Sequence, residues 1–559
     1  MIVLHRSVVV LAGFVSLASA CSDGQHKPRA GNQPQPIGAT SPPASDERKK
    51  TDDKGDGKEG SEPGSFDTKE KSTTAKAAPG VANALFDQLV GAVRSIERVS
   101  DDGLTRLGTT WDQELARAKA RCVAARSKDD IYYAALSLAR SFHDGHSDVS
   151  MPSLVPKRSA VLVKIRVEAV YDAATGGAPH YIVTDSGETL VPNGTEITSV
   201  DGKPVTALRD EMREWWRNSS PEGLTDFTAT SIGFRDPATL PAPAVGDSLR
   251  LGIKPVTGAE TTVTLKWAAQ TPPPTTTGGS TSTQDESRFA GQYQGFTREK
   301  AGKFYRIYGT PKTDVKILQY LSFNYDSETE METEVTAIRD HLTRANATKV
   351  LLDVRENGGG VLSLSIVELF TIKAYDIMLK SLYFGEHIKK NPALLDDKER
   401  ASIFPDSLRP QFKRELIADQ AGGFSTKVPF FCQTEQCAPN EANRPARAAA
   451  RSFEVALLTG PDCFSSCDLL VSILKDNAVA RLIGMPSGAG DSPMFLTHEL
   501  TLPSGDKLTF TRLTIGVSYR PRTNGTILEA HPPALDIPLF PTKANRTTYL
   551  TSALTALGW

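Results

Sequence analysis

The chain is poor in cysteine and in aromatic side chains: six cysteines and 7% aromatic residues in 559 positions. So few thiols exclude a dense disulfide scaffold. A hydrophobic content of 39% fits globular parts diluted by polar linkers. The length exceeds one ordinary domain, so two or three are expected. A net charge of −2 leaves no broad electrostatic footprint for nucleic acid or an anionic membrane surface. Past the N-terminal segment no apolar run is long enough to span a bilayer. No Gly-Lys-Ser/Thr is present, which excludes a nucleotide P-loop. His143 and His146 stand close together, but no Glu directly follows His143 and no third ligand is evident, so no metal site is expected. Nothing calls for a cofactor.

What is present begins with an export signal. Arg6 precedes an apolar run from Val8 to Leu17, and Ala18-Ser19-Ala20 supplies the small residues of a cleavage site. Cys21 follows directly. Residues 1–20 therefore resemble a bacterial lipoprotein signal, with Cys21 acylated after cleavage. Ala18 stands where that motif prefers leucine, so ordinary signal cleavage is the alternative. Either route exports the protein to the cell envelope, and the lipid route anchors it to a membrane. Residues 21–79 are rich in Pro, Gly, Ser, Lys and Asp, and read as a flexible tether.

Residues 80–155 read as helical. Leu85, Leu89 and Val93 share one helical face, and further helices are expected over Trp111–Ala125 and Asp130–Phe142. Gly145 is expected to stop the last helix and leave His146 on a tight turn. Residues 156–270 alternate in β fashion, with strands expected at Ala160–Val170, Tyr181–Thr184, Glu196–Val200 and Thr261–Trp267. The Asp201-Gly202 turn, followed by a helical stretch from Leu208 to Trp216, resembles a piece of a PDZ domain, a fold that binds peptides by strand addition. No Gly-Leu-Gly-Phe type loop accompanies it, and a plain structural module is the alternative. Residues 271–290, with three consecutive prolines and a threonine run, read as a linker.

Residues 291–559 alternate strand and helix, which favours a mainly parallel sheet. Two turns stand out. The buried strand Lys349–Val354 runs into Arg355-Glu356-Asn357-Gly358-Gly359-Gly360, which places backbone N–H groups at an exposed strand end. The strand Phe453–Gly460 runs through Cys463-Phe464-Ser465-Ser466-Cys467-Asp468 into a helix, which suits a serine nucleophile. The plainer reading is that one serine caps that helix. Between these turns, residues 378–450 read as an irregular polar insertion. Cys432 and Cys437 in it are close enough to pair, and Cys463 with Cys467 is a second candidate disulfide, leaving Cys122 free.

Four pieces, in order, resemble the C-terminal processing (tail-specific) serine proteases and their tricorn-type relatives. They are Leu138–Ser147 with its Asp-Gly-His, Leu352–Gly360, Ser465–Asp468, and Ile483–Gly490. The resemblance spans about residues 81–559. It implies a ClpP/crotonase-like α/β protease core with an N-terminal helical segment and an inserted PDZ-like β-rich module. The Ser-Lys branch of this family places its lysine where this chain has Gly490, and the nearest later lysine is Lys507. The tricorn-type branch takes its histidine from the early turn, which is His146 here. The resemblance thus implies Ser465 as nucleophile, His146 as base, Glu529 as an orienter at one remove, and the N–H groups of Gly359 and Ser466 as the oxyanion hole. The partner is then a peptide or unfolded protein. A non-catalytic binding lipoprotein on the same fold is the alternative.

Overall fold

The structure is a computed structural model. It describes residues 79–96, 101–150, 154–270, 288–403, 406–418, 423–431, 442–445, 452–490, 494–502 and 505–559. Cys21, Cys432 and Cys437 lie outside the described residues.

The chain opens with four helices: α1 (Pro79–Arg94), α2 (Asp101–Arg106), α3 (Trp111–Ala124) and α4 (Lys128–Arg140). Thr110 and Ser127 start α3 and α4 with reciprocal capping boxes, each satisfying an otherwise orphaned N–H. Helix α4 ends five residues before Gly145, earlier than expected. The chain leaves the helix through Ser141 and turns at His143, a non-glycine residue at φ 52°. Tertiary contacts override the glycine signal: His143 Nδ1 lies 2.8 Å from the Trp216 carbonyl, and its ring is buried beside Glu114. A short strand β1 (Asp148–Ser150) follows.

The next unit is an antiparallel sheet in sequential order: β2 (Ile165–Ala173), β3 (Gly176–Ser186), β4 (Glu196–Val200), β5 (Ser248–Lys254) and β6 (Thr261–Lys266). Two helices, α5 (Val205–Met212) and α6 (Pro221–Gly233), interrupt it between β4 and β5. The β-type reading of this region missed α6, whose Thr, Ile and Gly content is unfavourable to helix. Its start was marked all the same: Ser220 accepts from the Gly223 N–H, and Pro221 occupies the first turn.

The third unit is a seven-stranded sheet. Its strands are β7 (Thr297–Ala301), β8 (Tyr305–Gly309), β9 (Val315–Tyr320), β10 (Lys349–Asp353), β11 (Glu454–Thr459) and β12 (Ala480–Gly484), with β15 (Ile537–Pro538) at the far edge. β7 to β9 pair antiparallel, and the rest are parallel. The parallel strands are buried on both faces, as covered parallel sheets require; Val350–Leu352 and Ala456–Leu458 are all buried. Helices α7 (Glu328–Arg344), α8 (Leu364–Glu368) and α9 (Ser466–Asp476) pack into the cluster on one face, through Val335, Ile338, Ile366 and Ile473. Helix α10 (Tyr549–Leu557) covers the other face through Tyr549, Leu550 and Leu554. The architecture is the expected mixed α/β core.

The segment after α8 is more ordered than a polar insertion. Leu379–Leu382 pairs with Gly516–Tyr519, and Leu382, Phe384 and Phe412 join the same apolar cluster as α1, α4 and the antiparallel sheet. Its apolar residues come in short clusters, Ile377–Leu379 and Leu382–Phe384 among them, separated by polar stretches, so neither period stands out in sequence. Two further strands, β13 (Met494–Thr501) and β14 (Lys507–Thr514), pair with each other, and β14 also pairs with β1. That pairing carries the early histidine turn to the rim of the parallel sheet.

Candidate active site

Strands β10 and β11 are neighbours in the sheet and run in the same direction. The turns that follow them therefore emerge side by side, where ligand sites of open α/β sheets form. The turn after β10 carries Gly358–Gly360, and the turn after β11 carries Ser465.

Ser465 stands at the first boundary of α9, yet it does not cap the helix: its side chain makes no capping bond. Its backbone lies at φ 60° and ψ −124°, a conformation that non-glycine residues rarely hold. Such strain persists only where the surroundings over-determine it. Here the Ser465 N–H donates to the Gly490 carbonyl at 2.9 Å. The loop bearing Gly490 is held in turn by Asp468, whose buried carboxylate accepts from the N–H groups of Ala489 (3.2 Å) and Gly490 (3.1 Å). Cys463 and Cys467 form a disulfide across the turn, with Cα atoms 5.3 Å apart.

The freed hydroxyl meets His146. Nε2 of His146 lies 3.1 Å from Ser465 Oγ, although 319 positions separate the two residues. Asp144 builds the histidine turn: its Oδ1 accepts from the N–H groups of His146 and Ser147, both at 2.7 Å. Its Oδ2 accepts from the hydroxyls of Ser147 and of Thr514 on β14. The Gly145 N–H donates to the Arg217 carbonyl at 2.7 Å, so the loop ahead of α6 also braces the turn. Burial is the main cause that pushes the imidazole down to about 4. The Arg217 and Arg512 charges add to it, and Asp144 opposes it. The ring is thus neutral at ordinary pH, the form a general base needs.

Glu529 is buried, but it does not hydrogen-bond His146. The Nδ1 of His146 has no hydrogen-bond partner among the described residues, so no carboxylate holds that nitrogen. Of the two expected oxyanion donors, Gly359 needs correction. Ser466 begins α9, where N–H groups have no partner within the helix. Its hydroxyl donates to the Gly360 carbonyl at 2.6 Å. Gly359 abuts the serine: a Cβ there would lie 2.8 Å from Ser465 Cβ and 2.7 Å from the Phe464 carbonyl oxygen. However, the Gly359 N–H is donated to Asn357 Oδ1 at 2.9 Å. As the turn stands, that N–H is committed and does not face an oxyanion. Sequence identifies the glycine turn but not which of its N–H groups the neighbouring asparagine captures.

Arg355 and Asn357 serve the turn itself. Arg355 pairs with Asp353 at 2.6 Å and lies over the Phe289 ring, while Asn357 Nδ2 donates to the Tyr320 carbonyl at 3.0 Å. Lys475 pairs with Asp536 and Lys507 with Glu499, so the hydrogen bond of the Ser465 hydroxyl goes to histidine and not to either lysine. Phe464 and Phe495, which flank His146, were not singled out in the sequence. The adjacency of Phe464 to the serine was the only available signal. Among the described residues no His, Cys, Asp and Glu cluster has the makings of a metal site.

Residues 314–529 match peptidase family S41. That span contains the glycine turn, Ser465 and Glu529, while His146 lies outside it. No curated protein matches the chain. Among solved structures, mature CPAF complexed with lactacystin superposes with a TM-score of 0.61 at 16% identity, over 86% of this chain and 97% of that one. Mature CPAF alone gives 0.60 at 16% identity, over 85% and 96%. At that identity the likeness is one of fold.

Proposed function

We propose that this chain, a serine-type peptidase with a family S41 core, is an endopeptidase of the tail-specific type that works through Ser465 and His146. The observation that carries the reading is the 3.1 Å approach of His146 Nε2 to a serine hydroxyl that its strained turn frees from capping. Ser465 Oγ attacks the peptide carbonyl as Nε2 takes its proton, and the imidazolium then protonates the leaving amine. The Ser466 N–H at the start of α9 supports the oxyanion.

The substrates in this reading are exported peptides or unfolded proteins. The signal-like residues 1–20, Cys21 and the tether after it support a lipid-anchored protein of the bacterial envelope. Glu529 then acts at most through intervening groups.

Two experiments test the proposal. A fluorophosphonate probe should label the wild type at Ser465, and Ser465→Ala should lose both labelling and cleavage of an unstructured peptide. Turnover should fall on the order of 10⁴–10⁶-fold. His146→Ala should approach that loss, whereas Lys507→Ala should leave turnover nearly unchanged. Cleavage that survives in Ser465→Ala refutes the assignment. For the anchor, Cys21→Ser should move the protein from the membrane pellet to the soluble fraction. A wild type that is already soluble argues against lipidation.

A further inference from the structure

In a serine–histidine pair an acid usually holds the second ring nitrogen, and so fixes how the imidazole faces the nucleophile. Here Nδ1 of His146 is buried and has no hydrogen-bond partner among the described residues. A ring carried on two rotatable bonds, with one nitrogen unanchored, needs another constraint to keep Nε2 on Ser465 Oγ.

The constraint is aromatic. The imidazole contacts two phenyl rings. The Phe464 centroid is 4.7 Å away at 33°, and the Phe495 centroid is 5.2 Å away at 47°. Both distances are within the range of aromatic contact. Phe464 immediately precedes Ser465, so nucleophile and clamp ride on one turn. Its backbone is fixed as well: the Phe464 N–H donates to the Asn357 carbonyl at 3.2 Å.

The surroundings are shaped for this ring. A Cβ at Gly490 would fall 1.6 Å from Phe464 Cε2, and one at Gly145 would fall 2.3 Å from Cζ. A Cβ at Gly488 would stand 3.1 Å from Cδ2. Two loops thus carry glycines, three in all, where the Phe464 ring passes. One of these glycines precedes His146 itself.

We infer that Phe464, together with Phe495, is the positioning residue for His146, substituting ring contact for the missing hydrogen bond to Nδ1. This rests on the Ser465–His146 reading above. The clamp has two effects. It stops the imidazole from rotating away from Ser465, and it excludes water from the ring. The charged groups acting on the imidazole are Asp144 on its own turn, Arg217 in the loop ahead of α6, and Arg512 on β14. A narrower side chain at 464 or 495 leaves all three in place but admits water.

The test is the pH dependence of kcat/KM for peptide cleavage by wild type, Phe464→Leu, Phe495→Leu and Phe464→Met. His146→Ala is run in parallel. The two leucine variants should lose about tenfold or more in kcat, with KM changed far less. The pH at which activity falls on the acid side should move upward toward the ordinary histidine range. Phe464→Met keeps bulk and dryness without a flat ring face. It should restore the acid limb more than it restores kcat. Phe495 is half-exposed, so Phe495→Leu decides the matter if the 464 variants do not fold. Wild-type kcat in the leucine variants, or a lowered kcat with an unmoved acid limb, overturns the inference. If His146→Ala retains activity, the Ser–His reading fails instead, and the two failures are distinct.

Discussion

A hydroxyl at the start of a helix has two uses, capping or chemistry, and Ser465 and Ser466 both decline the first. Ser465 turns its oxygen to His146, and Ser466 donates to the Gly360 carbonyl, tying α9 to the glycine turn. Ser466→Ala keeps the backbone N–H and removes one partly buried hydrogen bond. It should lower stability by roughly 1 kcal/mol and reduce turnover by less than tenfold. Thermal denaturation and peptide cleavage measured together would check this; a loss as deep as that of Ser465→Ala would make Ser466 the nucleophile. The pairing of Ser465 with His146 was legible only through the resemblance to the tail-specific proteases, since by residue type alone a serine at a helix start reads as a cap. The burial of Nδ1 and the capture of the Gly359 N–H were not legible, since each depends on which atoms of distant segments come within 3 Å or so.

At the scale of elements, the site is two strand-to-helix turns pressed together, and their glycines are clearances as much as flexible joints. Gly359 lies at φ 97° with no room for a Cβ beside Ser465. Gly359→Ala must therefore strain the backbone and push the two turns apart. It should cost about 1–3 kcal/mol, and it should slow fluorophosphonate labelling by at least tenfold. Labelling at the wild-type rate would mean that the turns are not in contact in solution. The parallel strands and α9 were readable from continuous apolar runs and helical periodicity. Helix α6 was hidden by its threonines, and the segment after α8 by spacing that fits neither period. Both bury their apolar residues against parts of the chain far away in sequence. Local pattern registers such burial poorly.

At the scale of the molecule, one residue joins the antiparallel sheet's helix to both site turns. Arg288 Nη2 lies 2.5 Å from Asp462, three residues before Ser465, and 3.7 Å from Asp226 on α6. The Arg288 N–H donates to Glu356 in the glycine turn at 2.7 Å, and its carbonyl accepts from Arg166 on β2 at 2.9 Å. Two carboxylates thus share one guanidinium. Burial, with the negative charges of Asp462, Glu168 and Glu222, pushes Asp226 up to about 7 against the pull of Arg288. The sign of the consequence follows from linkage. Below the unfolded aspartate range, near 4, Asp226 is protonated in both states and contributes no pH dependence. Between about 4 and about 7 the unfolded chain releases this proton while the folded one keeps it, so stability falls as pH rises through that window. Asp226→Asn holds the group neutral at every pH and removes the slope. The variant should gain stability relative to wild type as pH rises from 5 to 7.5, with little difference near pH 4. Denaturant midpoints across that range measure it, and parallel curves for the two proteins would show that Asp226 titrates normally. Because Asp462 then faces Arg288 without a competing carboxylate, turnover at pH 7.5 should be kept or raised in the same variant. A fall in turnover with the stability gain intact would mean that an ionised Asp226 is needed to hold α6 against the site.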